Sequence, residues 1–122
     1  MIKRKMRNVE AKAVTAAEKT TIQVLIGPDE APHFAMRRFV MQPGGYMPLH
    51  TNLVEHEQLV LGGRASVVIG DKTYEMEKDD VVFIPRGVAH SYSTIGDEAF
   101  EFLCLVPNEM DKIAIIDKGK NT

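Results

Sequence analysis

Three histidines, His50, His56 and His90, stand close behind turns, near the starts of apolar, strand-like runs. His50 follows Pro43-Gly44-Gly45 and Pro48, His56 opens the run to Leu61, and His90 follows Pro85-Arg86-Gly87. An imidazole in such a place is a metal ligand, a proton carrier or a satisfied structural group. Strand starts can gather at one mouth of a barrel whatever their separation along the chain, so these three can meet. Were they to share one ion, three neutral imidazoles would suit Fe, Mn, Zn, Ni or Cu; taken singly, a histidine near a strand start is more often a satisfied structural group. Such a shell leaves coordination positions open, as metal-assisted chemistry requires. The fourth histidine, His33, follows Pro32 in a turn-like segment and is read as a surface residue.

Alternation along a strand says what accompanies the histidines. His50 shares a face with Asn52, His56 with Gln58 and Val60, and His90 with Tyr92. In the run Phe100 to Val106, Glu101 should face solvent, which turns Phe100, Phe102, Cys104 and Val106 inward. The expected pocket is lined by Gln58, Tyr92, Phe102, Cys104 and Val106. Asn52 has two readings: its amide oxygen completes the metal shell or holds a metal-bound water, or it is a turn residue before Leu53-Val54. Cys104 is a small buried hydrophobe or an extra soft ligand. Tyr92 is core or a hydrogen-bonding, acid–base group. Arg37 and Arg38 are adjacent in one strand, so one of them points inward, where it could anchor an anionic substrate. No residue stands out as the catalytic acid, base or nucleophile.

The elements that must position these groups read as β throughout. Thr21 to Ile26 is rich in β-branched residues and stops at Gly27-Pro28. Phe34 to Met41 closes at Pro43-Gly44-Gly45, and Tyr46 to Asn52 follows. His56 to Leu61 stops at Gly62-Gly63. Ala65 to Ile69 and Thr73 to Met76 form a hairpin about Gly70-Asp71. Val81 to Ile84, His90 to Thr94 and Phe100 to Val106 complete the set. These are about eight or nine short strands with regular turn signals, the pattern of an all-β sandwich or barrel. Residues 1–18 read as an N-terminal arm or edge strand, 19–110 as the barrel, and 111–122 as a tail with one apolar patch at Ile113 to Ile116 and a loose end from Lys118.

Bulk properties narrow the function classes. With 15 basic and 17 acidic residues the formal charge is −2, which offers no electrostatic basis for nucleic-acid binding. A single cysteine excludes an internal disulfide. The basic start, Met1 to Glu10, lacks the apolar stretch of a secretory signal, and no run is long enough to span a bilayer. A cytoplasmic, membrane-free protein is expected.

Two segments carry a family resemblance. Pro43-Gly44-Gly45 through His50, His56 and Gly63 resembles the first cupin motif: a glycine, a His-x-His pair, a carboxylate, a closing glycine. Asp79 through Pro85, Gly87, His90 and Thr94 resembles the second, with Pro85-x-Gly87-x-x-His90 matching in full. The chain departs from the pattern at Asn52, His56, Asp79 and Thr94, which stand for histidine, carboxylate, glycine and asparagine. The carboxylate position falls on His56 or Glu57. The closing Gly63 favours His56 and turns Glu57 outward, and a bulge there would reverse the choice.

The resemblance implies an all-β cupin barrel, a double-stranded β-helix of jelly-roll type, with one divalent transition metal per chain (Fe, Mn, Zn, Ni or Cu) on His50, His56, His90 and, on one reading, Asn52. It implies a metal-dependent enzyme, oxygenase-type, acting on a small organic molecule; the phenol and apolar lining fit an aromatic or unsaturated one. The alternative is a non-catalytic metal or small-ligand sensor. It also implies a homodimer, in which Thr21 to Ile26 could extend a partner's sheet. Metal affinity is expected to fall below about pH 6.5, the ordinary imidazole value.

Overall fold

The computed structural model describes residues 1–116. Ten strands run in chain order: β1 (Lys12–Ala13), β2 (Glu18–Ile26), β3 (Phe34–Thr51), β4 (His56–Gly62), β5 (Arg64–Ile69), β6 (Lys72–Glu77), β7 (Val81–Ile84), β8 (His90–Ile95), β9 (Phe100–Pro107) and β10 (Ala114–Ile115). The described residues contain no α-helix, only a single 3-10 turn at Met6–Asn8.

Pro43-Gly44-Gly45, which reads as a stop between two strands, is instead a corner inside one. The first half of β3 pairs with β2 and β9, the second with β8 and β10. Glycine is what lets the strand turn. Gly44 has φ +80, a region side chains avoid, and a Cβ on Gly45 would come within 2.7 Å of the Gln42 carbonyl and Met41. The register with β2 slips here, from Met41 opposite Thr20 to Tyr46 opposite Glu18, as a bulge requires. β3 thereby joins the two walls of one curled sheet, ordered β6-β5-β8-β3-β9-β4-β7.

The motif glycines have the same kind of physical cause. Gly63 has φ +71, and a Cβ there would lie 2.1 Å from the Ala99 carbonyl oxygen. Asp79, where the motif has glycine, adopts φ +75, so the glycine preference is a backbone demand that an aspartate can meet. The β5–β6 hairpin pairs Ile69 with Lys72 and turns on Gly70 at φ +63.

Inside the curl, Phe39, Phe102 and Tyr92 stack at centroid distances of 5.0 and 5.2 Å, each pair tilted by 15°. Met41, Ala65, Val67, Phe100 and Val60 close the core behind them. The N-terminal segment is tied down: Gln23 donates to the carbonyls of Met6 and Val9, and Arg4 pairs with Glu30 at 2.6 Å. The apolar patch of the tail contributes β10, whose Ile115 lies opposite His50. The loose end expected from Lys118 lies outside the described residues. Among these no helix is long and apolar enough to cross a membrane.

Candidate functional site

Backbone register brings the histidines together. His50, late in β3, is paired with His90 at the start of β8, and the ring centroids are 4.2 Å apart. His56 opens β4 from the opposite wall, 5.6 Å from His90. All three are buried, and Glu57 points away. No bulge reverses the face of His56: β4 pairs in unbroken register with β7 from His56 to Leu59. His33 is exposed.

Two rings are oriented by their own backbone. Nδ1 of His50 lies 2.8 Å from the Pro48 carbonyl oxygen, and Nδ1 of His90 lies 2.9 Å from that of Val88. A carbonyl only accepts, so each Nδ1 carries the proton and each Nε2 keeps its lone pair. His56 differs. Its Nδ1 meets Cys104 Sγ at 3.2 Å and Arg37 Nη2 at 3.4 Å, and its Nε2 is buried without a hydrogen-bond partner.

Asn52 is the fourth polar group. Its Nδ2 donates to Asp111 Oδ2 at 3.0 Å, while Asp111 Oδ1 accepts from the Leu53 amide at 2.7 Å. Facing a carboxylate, the amide must present its nitrogen, which leaves Asn52 Oδ1 buried and unpaired. Asp111 was read only as part of the tail. The contact spans 59 residues and has no signal in the sequence.

Burial is the largest influence on the imidazoles. It pushes His56 down to about 3, with Arg37 and His90 adding repulsion, and His90 down to about 4, with His50 adding to it. His50 is lowered too, again chiefly by burial. Burial thus favours the neutral form of all three rings. The shift is in the direction that leaves ring nitrogens free of protons, as ligation requires. Burial also raises Tyr92, keeping the phenol protonated. Gln58 Nε2 donates to its oxygen at 2.7 Å, so the phenolic proton remains available to the cavity. Cys104 is raised by burial as well and is no simple hydrophobe: Arg37 Nη2 lies 3.3 Å from its sulfur.

These groups line a cavity of about 270 Å³. Of the expected lining, Gln58, Tyr92, Phe102 and Cys104 are present; Val106 is buried beyond it, opposite Ala35, one inward position past Cys104 toward the strand end. Ala13 to Ala16, Ile113 and Ile115 form part of the wall, so both ends of the chain shape the cavity. Neither contribution was legible beforehand, because both segments lack strong strand character.

The donor set fits a borderline cation in kind. Three neutral imidazoles and an unpaired amide oxygen border the cavity, and the His56 nitrogen and Asn52 oxygen have no other partner. The fit stops short of a closed shell: among the described residues, no group of three or more His, Cys, Asp or Glu side chains is set to hold one ion.

Comparison with known proteins agrees with this architecture. The chain is similar to the polyketide cyclase RemF from Streptomyces resistomycificus, at 32% identity, covering 98% of this chain and 89% of that one, with a TM-score of 0.88. A cupin-2 domain protein from Rhodospirillum rubrum superposes with a TM-score of 0.82 at 27% identity, covering 93% of this chain and 79% of that one. The 1-methylthio-D-xylulose 5-phosphate methylsulfurylase of Rhodospirillum rubrum is 34% identical over 77 residues, 63% of this chain. The chain spans only 49% of that relative's length in the match. The model of the cupin domain family matches residues 37–106, which contain the corner of β3, all three buried histidines and the ring stack. This chain belongs to the cupin family.

Proposed function

We propose that this chain is a metal-dependent enzyme that closes a ring in a small, flat polyketone-like substrate by carbon–carbon bond formation without oxidation. The observation that carries this reading is the cavity itself: an aromatic floor bordered by neutral imidazoles, a protonated phenol and two amides. Nothing on that border carries a negative charge of its own, so negative charge developing on a substrate carbonyl oxygen would be stabilised there. The similarity to a protein named polyketide cyclase, over nearly the whole chain, supports the substrate class.

His50, His56 and His90 would hold the cation through Nε2, with Asn52 Oδ1 beside them. A bound divalent ion supplies Lewis acidity for a carbonyl oxygen. The chain's own groups do the rest. Phe39, Phe102 and Tyr92 offer a flat apolar surface that excludes water and holds a conjugated chain folded. Tyr92 donates its proton in a hydrogen bond to a substrate oxygen while Gln58 fixes the phenol. The new bond joins an activated methylene carbon, which gives up a proton, to a ketone carbon, whose oxygen takes one up; a second proton from the same methylene and that hydroxyl leave as water when the ring aromatises.

The oxygenase-type reaction implied by the motifs is the second reading. The ligand set favours it, since neutral imidazoles with open positions also suit redox-active iron or copper. One experiment separates the two. The protein, loaded in turn with Zn, Mn, Fe and Cu, is given a linear tetraketide ester while cyclised product and dissolved oxygen are followed together. Product without oxygen uptake is expected. Oxygen consumed in step with turnover would select the oxygenase, and no reaction with any metal would leave a binding module. The homodimer is likewise a proposal, supported by the apolar outer wall, where Val81 and Phe83 are 77% and 56% exposed. Sedimentation would test it.

A further inference from the structure

β3 carries two consecutive arginines, and their surroundings differ. Arg38 faces outward, donating to Glu101 at 2.9 Å and to Gln23 at 2.7 Å. Arg37 faces inward and lines the cavity. Among the described residues its polar neighbours are Cys104 Sγ at 3.3 Å, a weak neutral acceptor, and His56 Nδ1 at 3.4 Å, which holds the ring proton whenever Nε2 is free to bind a cation and then cannot accept. Its guanidinium carbon lies 5.2 Å from the centroid of Phe39. Among the described residues no carboxylate pairs with it.

A guanidinium does not give up its proton, so this cation cannot escape burial by becoming neutral, as a buried lysine can. A partly buried charge without a counter-ion is costly, and a fold that keeps one gains little stability from it. The asymmetry therefore points to an anion from outside. The location is specific. Arg37 is opposite Cys104 in β9, which is opposite Gln58 in β4, and the stacked rings of Phe39, Phe102 and Tyr92 lie beside that row. An anionic group on Arg37 would sit beside Phe39 and His56, with the flat part of its molecule against the stacked rings.

We infer that Arg37 is the anchor for a carboxylate on the substrate, and that the cavity selects flat, apolar molecules ending in one carboxylate. The inference rests on the proposed use of the cavity but names a property that reading does not supply. Arg37 would set specificity and orientation, with planar two-point hydrogen bonding to the carboxylate.

The test uses metal-free protein, so that no cation can hold the carboxylate. Binding of 2-naphthoate is compared with that of its neutral isostere 2-naphthamide by calorimetry, in the unaltered protein and in Arg37→Lys, Arg37→Met and Arg38→Met. The unaltered protein should prefer the carboxylate by about ten- to a hundredfold, the worth of a charged hydrogen-bonding contact. Arg37→Lys should keep part of that preference, Arg37→Met should lose it, and Arg38→Met should retain it. Arg37→Met should also melt at or above the unaltered protein, because a cation without a counter-ion has been removed. Equal binding of the two compounds, no binding of the carboxylate, or a preference that survives Arg37→Met would overturn the inference. So would a large drop in melting temperature for Arg37→Met, which would mark Arg37 as a structural brace. None of these results bears on metal binding or cyclisation, and loss of turnover alone would not bear on Arg37.

Discussion

The two faces of the sheet formed by β3, β9 and β4 solve opposite problems. On the outer face, charged groups find protein partners: Arg38, half-buried and with its Nε unpartnered among the described residues, still meets Glu101 and Gln23, and Glu57 shares a hydrogen bond with Glu55 that raises it to about 6. On the inner face, the polar groups are buried, neutral or unpaired. Among the described residues, His56 Nε2 and Asn52 Oδ1 have no hydrogen-bond partner and Arg37 has no counter-ion. A surface that only has to be soluble satisfies itself with its own residues and water. Buried groups left unpaired cost stability, and a native fold retains them where something else is to be bound.

The largest effect should come from removing inner-face donors. His50→Ala and His90→Ala should each lower metal occupancy by at least about tenfold, judged against the smaller losses typical of outer-shell partners. His33→Ala on the outside should leave it unchanged. Elemental analysis after dialysis checks this, and equal occupancy in all three variants would erase the contrast between the faces. Asp111→Ala tests how far the contrast depends on support. Freed from the carboxylate, the Asn52 amide can flip, and metal affinity should fall by about ten- to a hundredfold if its oxygen belongs to the shell. An unchanged affinity would reduce Asn52 to a turn residue.

Acidification should sharpen the comparison in the metal-free protein. The unfolded chain takes up protons on its histidines below about pH 6.5, whereas His90 and His56 in the fold wait until about 4 and about 3. The unfolded state then binds more protons, so stability present at neutral pH is lost as pH falls through this window. Each such histidine contributes a slope of up to about 1.4 kcal/mol per pH unit. Urea unfolding at pH 7, 6 and 5 measures it, and His56→Gln should flatten the slope. A smaller effect again is expected on the outer surface. Arg64→Gln, which breaks the exposed pair with Glu75, should cost less than about 1 kcal/mol, as exposed ion pairs do. A larger loss there would mean that the outer pairs hold the sheet.

Much of this inner face was legible in advance. Alternation from Glu101 turned Phe102 and Cys104 inward, and the spacing to Gly63 chose His56 over Glu57. His56 does face inward and Glu57 outward, and Gly63, held at φ +71 against the Ala99 carbonyl, fixes the end of β4. Alternation failed at Val106 for a simple reason. It reports the face a residue occupies and not how far along the strand the cavity extends. It also failed to separate Arg37 from Arg38, because apolar residues flank the pair on both faces and leave the phase of the strand open.

The period of the strands, the glycines at positive φ and the types of donor near each turn are local properties, and the sequence by itself determined them. The tertiary structure alone decided which arginine faces the cavity, that Asp111 orients Asn52, and that both ends of the chain close the wall. Those outcomes depend on contacts between residues far apart in the chain, such as the 59-residue span between Asn52 and Asp111. No local pattern encodes such a contact, because its partner is chosen only when the sheet curls and the ends find the space that remains.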